Sequence, residues 1–218
     1  MASACARSVA LVGLEGRIVE VEADIGAGLP RTVLVGLPDS ALYQARDRCK
    51  AAVSNSGQEW PISLLTINLS PATLPKAGSH YDVAIVAAIL AAQRVFPVDE
   101  LRRTVLLGEL GLDGRLRPVR GILPATLAAQ QTGFTRVIVP LRQAERLPKS
   151  SELGAQFARG QTLEVPSWFC TIGKIGRTRR HTSTTNCVGA ALLSATRGVQ
   201  GGAQVPTGRT QADRLTRR

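Results

Sequence analysis

Histidine is almost missing from this chain: among 218 residues only His80 and His181 occur. The four cysteines, Cys5, Cys49, Cys170 and Cys187, are scattered and form no Cys-x-x-Cys pair. Zinc-ligand spacing is therefore absent, and the cysteines are expected to be reduced, as in a cytosolic protein. No apolar run reaches the about 20 residues that a membrane-spanning helix needs. The start, Met-Ala-Ser-Ala-Cys-Ala-Arg-Ser, lacks the basic segment and long apolar stretch of a secretory signal, so a cytoplasmic location is expected. A phosphate-binding loop requires Gly-x-x-x-x-Gly-Lys-Ser/Thr, whose amides cradle the phosphates while the lysine neutralises them. The sole Gly-Lys here, Gly173-Lys174, is followed by Ile175 and has no glycine at the right place before it. Gly26-Ala-Gly28 and Gly201-Gly202 read as turns or linker, so this chain is not expected to hydrolyse ATP.

Acidic residues are scarce at one end. Residues 1–170 hold 18 Lys/Arg and 15 Asp/Glu, a net of +3. Residues 171–218 hold 9 Lys/Arg against Asp213 alone, a net of +8. The basicity is therefore mostly a property of the tail, which argues against a broad DNA-binding face on the folded part. After Phe169 there is no aromatic residue, and only Val188 to Leu193 is apolar. Too little is left there to bury a core, so residues 169–218 are expected to be a disordered basic tail behind a folded domain of residues 1–168.

Within the domain, period-two runs alternate with helical ones. Residues 6–12 and 17–25 read as strands. In the second, Val19, Val21 and Ala23 share one face, with Glu20, Glu22 and Asp24 on the other. Thr32 to Val35 begins another strand. A helix follows to about Ser56, with Asp39 or Ser40 as N-cap and Gly57 as C-terminal cap. Its stripe is Leu42, Ala45, Cys49, Ala52 and Val53, with Arg46, Arg48 and Lys50 off the stripe toward solvent. Trp60 before Pro61 is expected as a partly buried anchor, and Ile62 to Leu69 as a strand. Thr104 to Val119 reads as a hairpin hinged at Asp113-Gly114, the dipeptide of a type I′ turn, with Glu109 and Arg115 as a cross-strand pair. A helix from Gly121 to about Thr132 carries Pro124 in its first turn. Strands are expected at 136–140 and 162–165, with a weak helix and loop between.

The central stretch is residues 71–92. Pro71, Pro75 and Gly78 make a loop, and Val83 to Ala92 is apolar on every side, which suits a helix buried in a core. Asp82 stands where that helix starts, as an expected cap that holds the loop.

These stretches come in a familiar order: Leu34-Val-Gly-Leu-Pro-Asp39, Ala45-Arg-Asp-Arg48, Ile67-Asn-Leu69, Leu74-Pro-Lys-Ala-Gly78, Tyr81-Asp-Val83 and Gly108-Glu-Leu through Arg120-Gly121. Over roughly residues 6 to 165 they resemble the N-terminal domain of the magnesium-chelatase-like AAA ATPases of the ComM/YifB family. The resemblance implies an α/β (two-layer α+β) fold like the Lon protease domain and certain ribosomal proteins. It also implies a role beside an AAA module, in relatives that drive ATP-dependent DNA branch migration during transformation. The expected chain is a version truncated before that module, with no catalytic residue, cofactor or metal of its own. ATP and magnesium are implied for full-length members only. The abrupt composition shift is compatible with a frame change in the gene or with a genuine disordered tail.

Kinship with Lon raises a Ser-Lys protease as an alternative. Lon proteases carry Lys-Asp-Gly-Pro-Ser-Ala-Gly on the loop before a buried helix, and the matching Lys76-Ala-Gly-Ser-His-Tyr-Asp82 puts His80 at the nucleophile position. Pro118-Val-Arg-Gly-Ile-Leu123 puts Leu123 where the general-base lysine belongs. A nucleophile needs a base within reach, and leucine accepts no proton. Ser79, one residue along a tight loop, is expected to point elsewhere. The expected partners are a second copy or a full-length AAA relative, with no membrane. A further alternative is a nucleic-acid-binding module, with Arg46, Arg48, Lys50, Lys76 and Arg120 on phosphates, helped by Arg177, Arg179 and Arg180.

Overall fold

The computed structural model describes residues 2–36, 39–144, 157–158 and 190–195. Strand β1 (Ala2–Val12) and strand β2 (Glu15–Gly26) form a long antiparallel hairpin in register from Ala2↔Ile25 to Val12↔Glu15. The strand starts earlier than the apolar pattern suggests. Ala2, Ser3 and Ala4 are weak strand formers, and pairing with β2 recruits them.

Strand β3 (Arg31–Val35) runs parallel to β4 (Leu64–Ser70), which pairs antiparallel with the other side of β2. On the far side, β1 pairs with β5 (Thr104–Leu106), and β5 with β8 (Arg136–Pro140), both in parallel. Two more strands, β9 (Phe157–Ala158) and β10 (Ala190–Ala195), complete the order β3-β4-β2-β1-β5-β8-β10-β9. Strand β10 falls on the apolar run Val188 to Leu193, inside the stretch expected to be disordered. Ala190–Ser194 pair antiparallel with β8. The rest of the proposed tail, and the strand expected at 162–165, lie outside the described residues.

Helix α1 (Ser40–Asn55) and helix α2 (Asp82–Ala92) cover one face of the sheet. The buried set of α1 is Leu42, Ala45, Cys49, Ala52 and Val53, the stripe its spacing predicts. All eleven residues of α2 are buried. They share a core with Ala4, Ala6 and Ala10 of β1, and Trp60 packs against that cluster as an anchor. Full burial of each Ile, Leu or Val stabilises by about 1.5–3 kcal/mol, so α2 is a main source of stability although it shows no amphipathic period. Helix α3 (Ile122–Gln131) lies on the other face, over Val9, Val105 and Val137. That fits alternation along β1, since Val9 and Ala10 point to opposite sides. This is the mixed α/β architecture expected from the sequence.

A second small sheet, β6 (Glu109–Leu110) with β7 (Leu116–Arg117), stands beside α1. Its turn is longer than expected. The Gly111 amide donates to Arg115 O (2.9 Å) and the Gly114 amide to Gly111 O (2.7 Å), leaving a three-residue loop with Gly114 at φ 75°. A left-handed glycine in last place is the device of three-residue hairpins, whereas a type I′ turn would put Asp113 and Gly114 at its centre. In this register Glu109 stands opposite Arg117, and the cross-strand pair expected with Arg115 is not formed. A short helix α4 (Leu141–Ala144) ends the continuous described chain. Among the described residues, no helix is long and apolar enough to cross a membrane.

Candidate functional site

The loop between β4 and α2 is held by polar bonds from several elements. Lys76, only 1% exposed, donates its ammonium to Gly36 O (2.8 Å) and to Pro71 O. Burial lowers its pKa. Asp39 serves two elements at once: Oδ1 accepts the Leu42 amide (2.7 Å) as the N-cap of α1, and Oδ2 accepts the Gly78 amide (3.2 Å). The cap was readable from sequence, but the second bond was not, because it depends on where the loop lies.

Beyond Gly78 (φ 96°) three side chains turn in different directions. The Ser79 hydroxyl donates to a Glu109 carboxylate oxygen. His80 Nε2 lies 2.8 Å from Val9 O. A carbonyl only accepts, so Nε2 carries the proton and Nδ1 keeps its lone pair. Burial holds this imidazole below its ordinary pKa and so keeps it neutral. Tyr81 is fully buried and stacks at 4.0 Å between ring centroids on His80.

Asp82 departs most from expectation. It is the first residue of α2, yet its side chain caps nothing: the N-cap is Tyr81, which makes no side-chain cap bond. The carboxylate instead takes a two-pronged bond from Arg48, Nε to Oδ2 at 2.9 Å and Nη2 to Oδ1 at 3.0 Å, plus the Leu110 amide at 3.1 Å. Burial raises the Asp82 pKa to about 6 against the lowering effect of Arg48. Arg48 is held more firmly in its charged form by the same bonds. Both pKa values rise, for different reasons: burial dominates at the carboxylate, whereas at Arg48 the hydrogen bond to Asp82 outweighs desolvation.

This placement divides the five phosphate-binding candidates. Arg48 is not on the solvent face but bonded to Asp82, and Lys76 is enclosed with both contacts on carbonyls. Neither is free for a phosphate in this arrangement. Arg46, beside Asp47 at 2.9 Å, Lys50 and Arg120 are exposed, on α1 and on the loop before α3. The expected Glu109–Arg115 pair is absent: Glu109 faces Ser79, while Arg115 sits 3.7 Å from Asp113.

Ala77, Gly78, Ser79, His80, Glu109, Pro118, Val119, Arg120 and Leu11 line a cavity of about 450 Å³. Ser79 and His80 both line this hollow, although their polar atoms point to different partners, Glu109 and Val9 O. Leu123, at the position of a Lon-type lysine, is 39% exposed and does not line it. A larger groove of about 820 Å³ between the start of β2 and α3 is mainly apolar, lined by Leu14, Ile18, Leu74 and Leu127. Among the described residues, no three His, Cys, Asp or Glu side chains group as metal ligands.

The family model described as subunit ChlI of Mg-chelatase matches residues 21–143, from β2 through the loop and both covering helices to α4. The chain belongs to this magnesium-chelatase-like family. An uncharacterized protein of Mycobacterium tuberculosis is 55% identical over 171 residues, 78% of this chain and 33% of the relative. Competence protein ComM of Haemophilus influenzae is 36% identical over 163 residues, 75% of this chain and 31% of ComM. Lon protease 2 of Bacillus subtilis is 30% identical over 79 residues, 36% of this chain and 14% of the protease, in keeping with a Lon-like fold. The chain spans about a third of the length of the first two of these curated relatives.

Proposed function

We propose that this domain is the non-catalytic accessory part of a ComM/YifB-type magnesium-chelatase-like ATPase, the class of motor that drives DNA branch migration. The observation that carries this reading is the agreement between the family match and the loop chemistry. The match spans residues 21–143. Inside it, the positions of a Lon-type nucleophile and base hold His80, bonded to Val9 O, and Leu123. Loop polar groups go into tying β3, β4, α1 and α2 together rather than into an activated nucleophile. The chain itself contains no Gly-x-x-x-x-Gly-Lys-Ser/Thr motif. Its contribution is then to dock on a second copy or on a subunit that carries the motor.

The test is to add the purified chain to a full-length ComM and to follow ATP hydrolysis and branch migration. The chain alone is expected to hydrolyse neither ATP nor casein, and to alter the rate of the full-length protein when present in excess. Casein cleavage that disappears in Ser79→Ala would overturn the non-catalytic reading.

A nucleic-acid-binding role has narrower support, in the exposure of Arg46, Lys50 and Arg120. Were the folded domain the binder, neutralising these three would flatten the dependence of affinity on salt, because each phosphate contact releases counterions.

A further inference from the structure

The cavity beside the α2 loop has an electrostatic peculiarity that the accessory role does not use. Glu109 and Arg120 line the same hollow of about 450 Å³, yet they form no ion pair with each other. Glu109 is turned to the Ser79 hydroxyl, and Arg120 has no ion-pair partner among the described residues. Leu11, Pro118 and Val119 add apolar wall to the hollow. Its size falls in the range of small-molecule sites, roughly 300–1,000 Å³, where a few convergent polar groups on apolar walls fix a ligand's orientation.

Three of the residues that line the hollow bring hydrogen-bond acceptors. The Ser79 hydroxyl donates its proton to Glu109, so its lone pairs are left to accept. His80 donates through Nε2 to Val9 O, which leaves Nδ1 as an acceptor beside Gly78. A Cβ placed on Gly78 would lie 3.3 Å from that nitrogen, so the glycine keeps the approach to it open. Carboxylate, hydroxyl and imidazole together suit an ammonium group, whose three N–H bonds all donate. The Arg120 guanidinium suits a carboxylate, which it can hold through two parallel bonds.

We propose that this cavity is a binding site for a small zwitterion of about dipeptide size, its ammonium on Glu109, Ser79 and His80 and its carboxylate on Arg120. The proposal does not rest on the accessory-domain reading and stands or falls separately from it.

Isothermal titration of the full chain with glycylglycine tests it, with N-acetylglycine and glycinamide as ligands that each lack one charge. Glycylglycine is expected to give saturable binding, and each control to bind at least about tenfold more weakly, since each loses a charge-assisted bond. Glu109→Gln and Arg120→Gln are each expected to weaken glycylglycine binding by a similar factor, with the circular dichroism spectrum unchanged. No saturation by roughly ten millimolar ligand would overturn the site. Controls that bind as well as glycylglycine, or a loss in only one of the two variants, would overturn its two-charge character.

Discussion

Arg48 of α1 and Asp82 at the head of α2 are joined by two parallel hydrogen bonds of 2.9 and 3.0 Å, and the same carboxylate accepts the Leu110 amide of β6. One buried side chain thus ties two helices and the hairpin together. Asp82 is 0% exposed and Arg48 20% exposed at the side chain, so the carboxylate depends on its partner more than the guanidinium does. Arg48→Gln leaves that charge poorly compensated and is expected to cost about 2–4 kcal/mol, somewhat under the full penalty for breaking a buried pair because solvent reaches Arg48. Urea unfolding measures this. The double variant Arg48→Met with Asp82→Asn is expected to recover part of the loss, since removing both charges removes the uncompensated one. A double variant no more stable than Arg48→Gln would deny the coupling.

The same carboxylate sets a pH dependence. Burial raises the Asp82 pKa to about 6 from 3.8, so between these values the folded protein binds more protons than the unfolded chain. Stability then falls as pH rises through about 4 to 6, by about 1–3 kcal/mol from this group, and is flat with respect to it above. The charged and titratable neighbours are Arg48 and Cys49 on α1 and Glu109 on β6. The cysteine is itself pushed well up by burial and stays neutral in this range. Unfolding free energies for the natural chain and for Asp82→Asn, taken at pH 4, 5, 6 and 7, check the sign. The difference between the two should shrink toward low pH.

Much of the fold was legible because local pattern and tertiary demand agreed. The α1 stripe, a cap at Asp39 or Ser40 and the all-apolar α2 could be read directly. A helix apolar on every side has one stable place, inside a core. What failed were statements about which polar groups meet across the chain. Arg48 and Asp82 lie 34 positions apart, and no local spacing distinguishes a surface arginine from one folded back on a buried acid. Lys76 looked like a loop cation for the same reason. The hairpin failure was local: Asp113-Gly114 signals a two-residue turn, but the loop holds three residues, and Glu109 stands opposite Arg117 with its carboxylate on Ser79.

Lys76 offers a way to separate structure from ligand binding. Its ammonium joins Gly36 O and Pro71 O across the start of the loop, so Lys76→Met leaves two enclosed carbonyls short of a donor. The expected cost is about 1–3 kcal/mol. A thermal melt reports it, while fluorescence anisotropy with a labelled oligonucleotide reports any change in DNA affinity. Stability should fall, and whatever DNA affinity the chain has should be unchanged. A drop in affinity with unchanged melting would return Lys76 to the surface.

Gly36 is needed for close approach. It adopts φ 100°, a region that favours glycine, and a Cβ there would collide with the backbone of Leu69 on β4. Neither the backbone of β4 nor that of the adjoining loop can give way cheaply, because Lys76 also binds the Gly36 carbonyl. Gly36→Ala is expected to cost several kcal/mol, on the order of 3 or more. Measured by urea unfolding, a cost below about 1 kcal/mol would be the ordinary price of a surface change and would contradict the close packing.

Tyr81 points the other way. Its ring is fully buried, but its hydroxyl has no hydrogen-bond partner among the described residues, and burial pushes its pKa up. An unpaired enclosed hydroxyl costs more than it returns, whereas the ring's packing on His80 does not depend on it. Tyr81→Phe is therefore expected to leave the fold intact and to raise stability by about 1 kcal/mol, where most core substitutions lower it. Urea midpoints with unchanged slope are the readout. A loss of 1 kcal/mol or more would mean that the hydroxyl has a partner in solution, most directly an enclosed water.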